Sequence, residues 1–181
     1  MTMDKTELRQ ILAEEKALYL SDPNIKKFRH IRYYIWKYLL FFRKAQFYYA
    51  ECRSKNAGRL GRRLYKFLYR RFNKKRNLLG LKTGVEIGLG TRLGKNCNIW
   101  HSGVVLNGEI GDNCIFHGSN IVGENKTKTP VLGNNVELGV GAVVIGGVYV
   151  ADGCVIGAKA LVNKSVEEKG CRVAGVPARK F

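Results

Sequence analysis

The sequence predicts a mainly β protein, a β-solenoid that follows a basic α-helical region. A six-residue spacing of aliphatic residues runs through residues 87–162, and 18 of the 21 glycines follow Lys82. In contrast, 15 of the 19 aromatic residues precede residue 83, and residues 1–82 hold 22 Lys and Arg against 6 Asp and Glu. Residues 83–181 hold 10 against 8. We therefore expect two domains, 1–82 and 83–181.

The composition is typical of a folded globular protein. Its 181 residues are 45% hydrophobic, which suffices for one domain with an appendage, and the formal net charge is +18. The five cysteines lack the paired spacing of a zinc site, so no metal is expected. The N-terminus shows no charged segment followed by an apolar one, as a signal peptide has. We expect a cytoplasmic protein with free thiols.

The basic region has the composition of helices. Strong helix formers with Leu8, Ile11, Leu12 and Leu18 at helical spacing predict the first helix. Asp22 suits an N-cap and Pro23 the first turn of the next helix. Three helices are predicted, over residues 5–20, from about 24 to 56, and through 58–77 to a break at Gly80.

The second predicted helix is basic and aromatic, and its charges leave no apolar run of roughly 20 residues that could cross a bilayer. Two interpretations stay open: the helix lies at an anionic membrane surface with Trp36 at the interface, or it packs on trimer partners. His30 is interpreted as a surface or packing residue. Nucleic acid is disfavoured as a partner, because no recognition motif accompanies the basic residues.

Neither a helix nor a simple strand has a period of six, whereas a solenoid of short strands and turns does. Each aliphatic residue is expected to point inward, and a small residue four positions later to fill a tight interior. Three cysteines, Cys97, Cys114 and Cys154, fall in that small interior position. The inward residues are predicted to be Ile87, Leu93, Ile99, Ile110, Phe116, Val122, Leu132, Leu138, Val144, Val150, Ile156 and Val162.

The spacing fails in two places. Ile99 and Ile110 are 11 residues apart instead of 12, and Val122 and Leu132 are 10 apart. The second interruption holds lysines and threonines that do not suit a narrow apolar interior, so an extruded loop is predicted near 123–131. The first interruption holds Trp100 and His101.

The repeat, together with the closing segment AGVPARK, resembles the hexapeptide-repeat acyltransferases from Gly84 to Lys180. Within this family, the segment from Gly84 to Gly108 is similar to serine acetyltransferases and, more closely, to O-acetyltransferases of bacterial polysaccharide synthesis. The resemblance implies a left-handed parallel β-helix of about five coils that assembles as a homotrimer. A pair of such trimers is the alternative assembly. The left hand is implied by the resemblance, since the crossover rule would favour the right hand.

The same resemblance assigns chemistry to the first interruption. His101 matches the histidine that acts in the family as general base on the acceptor hydroxyl. An imidazole is largely neutral at pH 7 and can take that proton. Glu86 stands 15 residues earlier, where the serine enzymes have an aspartate that orients the base. The alternative is that Glu86 is a solvated corner residue.

The acceptor positions depart from those of the serine enzymes. Trp100 replaces an aspartate directly before the histidine, and Lys128 to Pro130 replace an Arg-His-Pro segment. These differences favour a sugar hydroxyl over serine, with Trp100 stacking on the sugar and Lys128 in the acceptor pocket. His117 matches a histidine common in the polysaccharide enzymes, and is assigned to a pocket wall or a trimer contact.

The donor positions match the family's coenzyme A groove. Small residues allow the pantetheine arm to approach the backbone, although the repeat's corners also call for glycine. Basic residues near the C-terminus suit the nucleotide phosphates. The predicted acetyl-CoA residues are Gly139, Gly141, Ala142, Gly157, Ala158, Lys164, Arg179 and Lys180.

The main functional hypothesis from the sequence is an acetyl-CoA-dependent O-acetyltransferase that acts on a sugar hydroxyl in surface polysaccharide synthesis. The transfer is direct, with His101 as base and Glu86 as its partner. One alternative is a serine O-acetyltransferase. Another is a non-catalytic β-helix scaffold whose basic arms bind a membrane or a polyanion. The expected location is cytoplasmic, or peripheral at the inner face of the cell membrane.

Overall fold

The structure is a computed structural model that describes residues 3–125 and 128–181. The chain forms two compact units, Met1–Thr83 and Gly84–Phe181. The first unit is helical and the second is built of short parallel strands. The division falls where the charge and glycine content of the sequence change.

The helical unit contains four helices among its described residues: α1 (Lys5–Tyr19), α2 (Pro23–Lys27), α3 (Ile31–Arg53) and α4 (Arg59–Thr83). The Asp22 carboxylate accepts a hydrogen bond from the amide of Asn24, and Pro23 begins α2, as the sequence predicts. The predicted second helix is divided at Arg29, which has φ of 50°. His30 caps α3, since its Nδ1 accepts from the Arg32 amide at 3.3 Å. The predicted end at Gly80 is wrong, because α4 continues to Thr83.

Helix α3 forms the core of the helical unit. Its residues Ile35, Tyr38, Leu39 and Phe42 are at most 2% exposed. It therefore packs within its own chain, against α1 and α4, and does not present this face to a membrane or to a trimer partner. For the remaining faces of α3, which are half-buried or exposed, both interpretations of this helix stay predictions. Among the described residues, no helix has the length and hydropathy required to cross a membrane.

The second unit is a parallel β-helix of triangular section. Face A consists of β1 (Glu86–Ile87), β4 (Val105–Leu106), β7 (Ile121–Gly123), β10 (Val143–Ile145) and β13 (Leu161–Val162). Face B consists of β2 (Arg92–Leu93), β5 (Glu109–Ile110), β8 (Val131–Leu132) and β11 (Tyr149–Val150). Face C consists of β3 (Asn98–Ile99), β6 (Ile115–Phe116), β9 (Glu137–Leu138), β12 (Val155–Ile156), β14 (Arg172–Ala174) and the antiparallel β15 (Arg179–Lys180). The strands stack as about five coils, as predicted.

The interior follows the predicted pattern. All twelve predicted inward residues are at most 8% exposed, and Leu106 and Val173 join them. Cys97, Cys114 and Cys154 are buried as expected, and Cys171 continues their column. Burial raises the pKa of the Cys154 thiol, and the Cys171 side chain adds to that shift. A raised pKa keeps the thiol protonated, which suits a packing role.

Two edges of the prism matter for function. The corner that joins face C to face A is called the C–A edge. It holds residues 100–103, 117–119, 139–141 and 157–159. We call A–B edge the corner that joins face A to face B. The extruded loop predicted near 123–131 leaves the A–B edge, where Asn125 and Lys128 pair as an antiparallel bridge. Residues 126 and 127 of that loop lie outside the described residues.

Candidate functional site

The first interruption of the repeat is two irregular steps. Ile99 and Leu106 are seven residues apart, and Leu106 and Ile110 are four apart, where a regular repeat would give six each. The long step lies at the C–A edge and lets residues 100–102 turn outward, and the short step follows it on the way to face B. His101 and Ser102 are exposed on this corner. The count of 11 in the sequence therefore conceals a longer corner that presents His101.

The His101 backbone is seated on Gly118 of the next coil. Gly118 has φ of 125°, and a Cβ added there would lie 2.8 Å from the His101 Cβ. On either side, the Trp100 amide donates to the Phe116 carbonyl at 2.9 Å, and the Ser119 amide donates to the Ser102 carbonyl at 2.9 Å. These backbone hydrogen bonds fix the corner, while the imidazole of His101 stays exposed.

A buried asparagine that the sequence analysis missed supports this seat. Asn120 is 0% exposed, its Oδ1 accepts from the Gly118 amide at 2.9 Å, and its Nδ2 donates to the Gly139 carbonyl at 2.7 Å. It occupies the interior position that is small and apolar in most other coils. A polar residue four positions after Phe116 was the signal that could have revealed it. Because a buried amide requires its hydrogen bonds, Asn120 holds the coil beneath His101 in one register.

Trp100 and His117 lie together on the C–A edge. Their ring centroids are 4.5 Å apart, and His117 Nε2 lies 2.7 Å from the Glu137 Oε1. Trp100 is 38% exposed. The structure therefore joins two predicted acceptor residues and adds Glu137, which the sequence analysis did not assign. The carboxylate fixes the His117 ring, and that ring supports one side of the exposed indole.

Glu86 is not joined to His101. The glutamate begins β1, pairs with Val105 through the backbone, and is exposed. Within the described residues, no hydrogen bond or ion pair connects its carboxylate to the His101 ring. The role of Glu86 as partner of the base stays a prediction. Among those same residues, no group of three or more His, Cys, Asp or Glu side chains is arranged to hold a metal ion.

The predicted donor groove lies along the C–A edge below His101. The amides of Gly139, Gly141, Ala142 and Gly157 already donate to carbonyls within the β-helix. Gly139 and Gly157, which directly follow two strands of face C, are also required by coil packing: a Cβ on Gly139 would lie 2.7 Å from the Ala158 amide nitrogen. Ala158 is exposed, and its amide makes no backbone hydrogen bond among the described residues. Of the five, Ala158 is therefore best placed to bind an amide of pantetheine.

The predicted basic residues are dispersed. Lys164 is exposed after β13, on the A–B edge, and Arg179 is exposed on face C. Lys180 Nζ lies 2.7 Å from both Glu168 carboxylate oxygens, and this hydrogen bond raises the pKa of the lysine. Its charge is thus already balanced by Glu168. Lys128 lies in the loop of the A–B edge, so one chain does not bring it to His101.

A Gly118→Ala substitution should disturb the seat of His101. The new Cβ would collide with a Cβ of the neighbouring coil, and φ of 125° is accessible to glycine alone. We expect a loss of about 1–3 kcal/mol in the free energy of unfolding, and a fall in the acetyl transfer that the sequence predicts beyond that caused by unfolding. Chemical denaturation and turnover of the folded fraction measure the two effects. Gly123→Ala is the matched control, since its Cβ would meet Ile121 Cγ2 at 3.8 Å. Equal results for both variants would contradict the assignment.

Comparison with known proteins identifies the repeat. Residues 129–164 match the bacterial transferase hexapeptide (six repeats) family. The chain is similar to the serine acetyltransferase of Synechococcus elongatus, 39% identical over 110 residues that cover 57% of this chain and 45% of that protein. It is also similar to the serine acetyltransferase of Helicobacter pylori, 44% identical over 87 residues, or 44% of this chain and 51% of that one. This chain thus spans about half the length of the curated relatives it matches.

The fold is that of known structures over nearly the whole chain. The serine acetyltransferase of Brucella abortus strain S19 matches with a TM-score of 0.72 and 24% identity, and the match covers 98% of this chain and 70% of that one. A serine acetyltransferase in complex with CoA gives 0.72 and 19%, with the same coverage. A soybean serine acetyltransferase complexed with serine gives 0.69 and 23%, again over 98% and 70%. The chain therefore has the fold of these serine acetyltransferase structures, with a left-handed β-helix in which residues 129–164 match the hexapeptide repeat.

Proposed function

We propose that this chain is an acetyl-CoA-dependent O-acetyltransferase. The observation that supports the proposal best is His101, exposed on an irregular corner of a β-helix whose relatives are named serine acetyltransferases. A structure of similar fold is described as a complex with CoA. The small residues and the exposed Ala158 amide of the C–A edge fit an extended pantetheine arm.

The proposed reaction is a direct transfer. The acceptor hydroxyl attacks the carbonyl carbon of the acetyl thioester, and His101 takes the hydroxyl proton as the new C–O bond forms. The C–S bond then breaks, and CoA leaves as a thiolate that can receive the proton from His101. His101 is suited to act as the base because its imidazole is exposed, on a corner that backbone hydrogen bonds to the next coil hold in place.

Serine is the first acceptor to test. The curated relatives of 36–44% identity are named serine acetyltransferases, which favours serine over the sugar hydroxyl that the sequence analysis preferred. Polysaccharide synthesis as the setting has no support from these relatives. The preference for a sugar depended on single positions, whereas the similarity to the serine enzymes extends over about half of the chain.

A sugar hydroxyl remains the second candidate, because of Trp100. Its indole is 38% exposed and rests against His117, so an apolar ring face is available beside the proposed base. Such a face suits the apolar side of a sugar ring and offers no hydrogen-bond donor to the carboxylate of serine. Lys128 and Thr129 likewise differ from the arginine and histidine that the family resemblance places there in the serine enzymes.

The test is acetyl-CoA consumption by the full chain with serine, with sugar nucleotides and with oligosaccharides. We expect turnover with at least one acceptor. Trp100→Ala should raise KM for a sugar acceptor about tenfold through the loss of stacking, and should change KM for serine by less than about twofold. Turnover with serine alone would remove the sugar candidate. Turnover with no acceptor, together with no CoA binding in calorimetry, would favour a non-catalytic scaffold and overturn the proposal.

We further propose a cytoplasmic trimer. The free cysteines suit a reducing compartment. Lys128 and His101 stand on different edges of the same β-helix, so a pocket that used both would need a second subunit. Sedimentation equilibrium of the full chain tests the assembly; a monomer at catalytic concentration would contradict it.

A further inference from the structure

Helix α4 has two different faces. On one face, the Tyr65 and Phe72 rings pack on Tyr48 of α3, and the Tyr69 ring packs on Tyr49. The other face carries five large apolar side chains that contact little of the chain. Their exposed fractions are 81% for Leu60, 54% for Leu64, 60% for Phe67, 59% for Leu78 and 87% for Leu81.

These exposed side chains form one stripe. Their positions belong to an alternating spacing of four and three residues, which also includes Arg71 and Lys74. At 3.6 residues per turn, this spacing keeps all seven side chains within an arc of about 100°. We call these seven residues the α4 stripe. An apolar stripe of this length on a helix whose other face is already packed indicates a binding surface.

The charge of α4 identifies the occupant. The helix holds ten Lys and Arg and no Asp or Glu. Arg71 and Lys74 lie within the stripe, between its two apolar groups, so a second copy of α4 would bring like charges together at the centre of the contact. Anionic headgroups would neutralise them, and the long basic side chains can reach headgroups while the leucines and the phenylalanine enter the acyl boundary.

We propose that the α4 stripe binds the surface of an anionic phospholipid membrane, with the helix parallel to that surface. The binding combines burial of five apolar side chains with attraction of the basic residues to acidic headgroups. This function is independent of the acetyl transfer proposed above. It places on α4 the membrane contact that the sequence suggested for α3, whose apolar face is buried in the helical core.

Vesicle sedimentation of the full chain tests the proposal. We expect binding to vesicles that contain phosphatidylglycerol, weaker binding as salt rises through about 0.15 M, and none to phosphatidylcholine alone. Phe67→Gln should weaken binding about tenfold. The double variant Arg71→Gln, Lys74→Gln should weaken it by about fivefold for each charge removed. Circular dichroism and acetyl-CoA turnover in solution should be unchanged, because these side chains are exposed.

Matched controls come from the same helical unit. Phe28 is 71% exposed and lies after α2, so Phe28→Gln changes an aromatic residue outside the α4 stripe that is somewhat more exposed than Phe67. Lys26→Gln with Lys27→Gln removes two exposed charges from α2. Both controls should bind vesicles like the wild type. Equal losses in control and stripe variants, or no binding to phosphatidylglycerol at low salt, would overturn the proposal. The proposal would also be overturned if Phe67→Gln formed a smaller assembly than the wild type in velocity sedimentation. The α4 stripe would then be a contact between subunits.

Discussion

His101→Ala is expected to lower kcat/KM for acetyl transfer by about 10²–10⁴-fold, because an unassisted hydroxyl is a poor nucleophile. The imidazole is exposed, so its removal leaves no cavity, and the free energy of unfolding should change by less than about 0.5 kcal/mol. Steady-state turnover with saturating acetyl-CoA measures the effect.

Two histidine variants serve as controls for this result. His30→Ala removes the cap of α3, outside the β-helix, and should leave turnover per folded molecule unchanged. His117→Ala removes a ring that already has a carboxylate neighbour at 2.7 Å, in Glu137. If His101→Ala kept full activity while His117→Ala lost it, the base would be His117 and the assignment of His101 would be wrong.

Arg43→Met is expected to destabilise the helical unit by about 3–5 kcal/mol. The guanidinium donates to Glu15 Oε1 from Nε at 3.0 Å and from Nη2 at 2.8 Å, and both side chains are at most 3% exposed. Without Arg43, Glu15 must hold an unpaired charge in the helical core or take up a proton. Urea denaturation followed by helical circular dichroism measures the loss.

Three companion variants make this prediction specific. Glu15→Met with Arg43→Met should be neutral or more stable than the wild type by about 1–4 kcal/mol, since no buried charge remains. The control is Arg92→Met, which breaks the pair of Arg92 with Glu109 whose side chains are 74% and 50% exposed, and should cost no more than about 1 kcal/mol. The third variant is Glu15→Gln. If Arg43→Met lowered the free energy of unfolding by no more than Arg92→Met does, solvent would have to reach Glu15 in the folded chain.

The Glu15→Gln variant tests the pH dependence. Burial raises the pKa of Glu15, and the Arg43 guanidinium acts in the opposite direction. The folded chain therefore keeps this proton at a pH where the unfolded chain has released it, so this contribution to stability falls as the pH rises above the usual range of a glutamate. Glu15→Gln should remove that part of the slope of unfolding free energy against pH. An unchanged slope would mean that Glu15 titrates alike in both states.

Periodicity predicted most of the β-helix because it reports local geometry. Every predicted inward residue is buried. Each six-residue step consists of one short strand and one turn, so the residue at the same place in every step points to the interior. The same method failed for α2 and α3, where a continuous helical pattern crosses a break at Arg29. A backbone turn of one residue leaves too little trace in the pattern of apolar residues to be recognised.

The candidate site shows the same limit. The sequence located His101 and Trp100 at the interruption, because a failed count is visible along the chain. It did not reveal Asn120 under the corner or Glu137 beside His117, since each acts on a residue of another strand or coil. A membrane contact was one of two interpretations of α3, suggested by its aromatic residues, of which Tyr48 packs on Phe72 of α4.

The repeat, the division of the chain near residue 83 and the position of the candidate base were all predictable from the sequence. Each of these depends on neighbours along the chain, through spacing, composition or charge. Tertiary structure alone decided that Gly118 and Asn120 seat His101, that Glu15 and Arg43 pair in the helical core, and that α4 keeps an apolar and basic face exposed. These features depend on residues that are distant in sequence, and a contact across coils or helices has no period by which to recognise it.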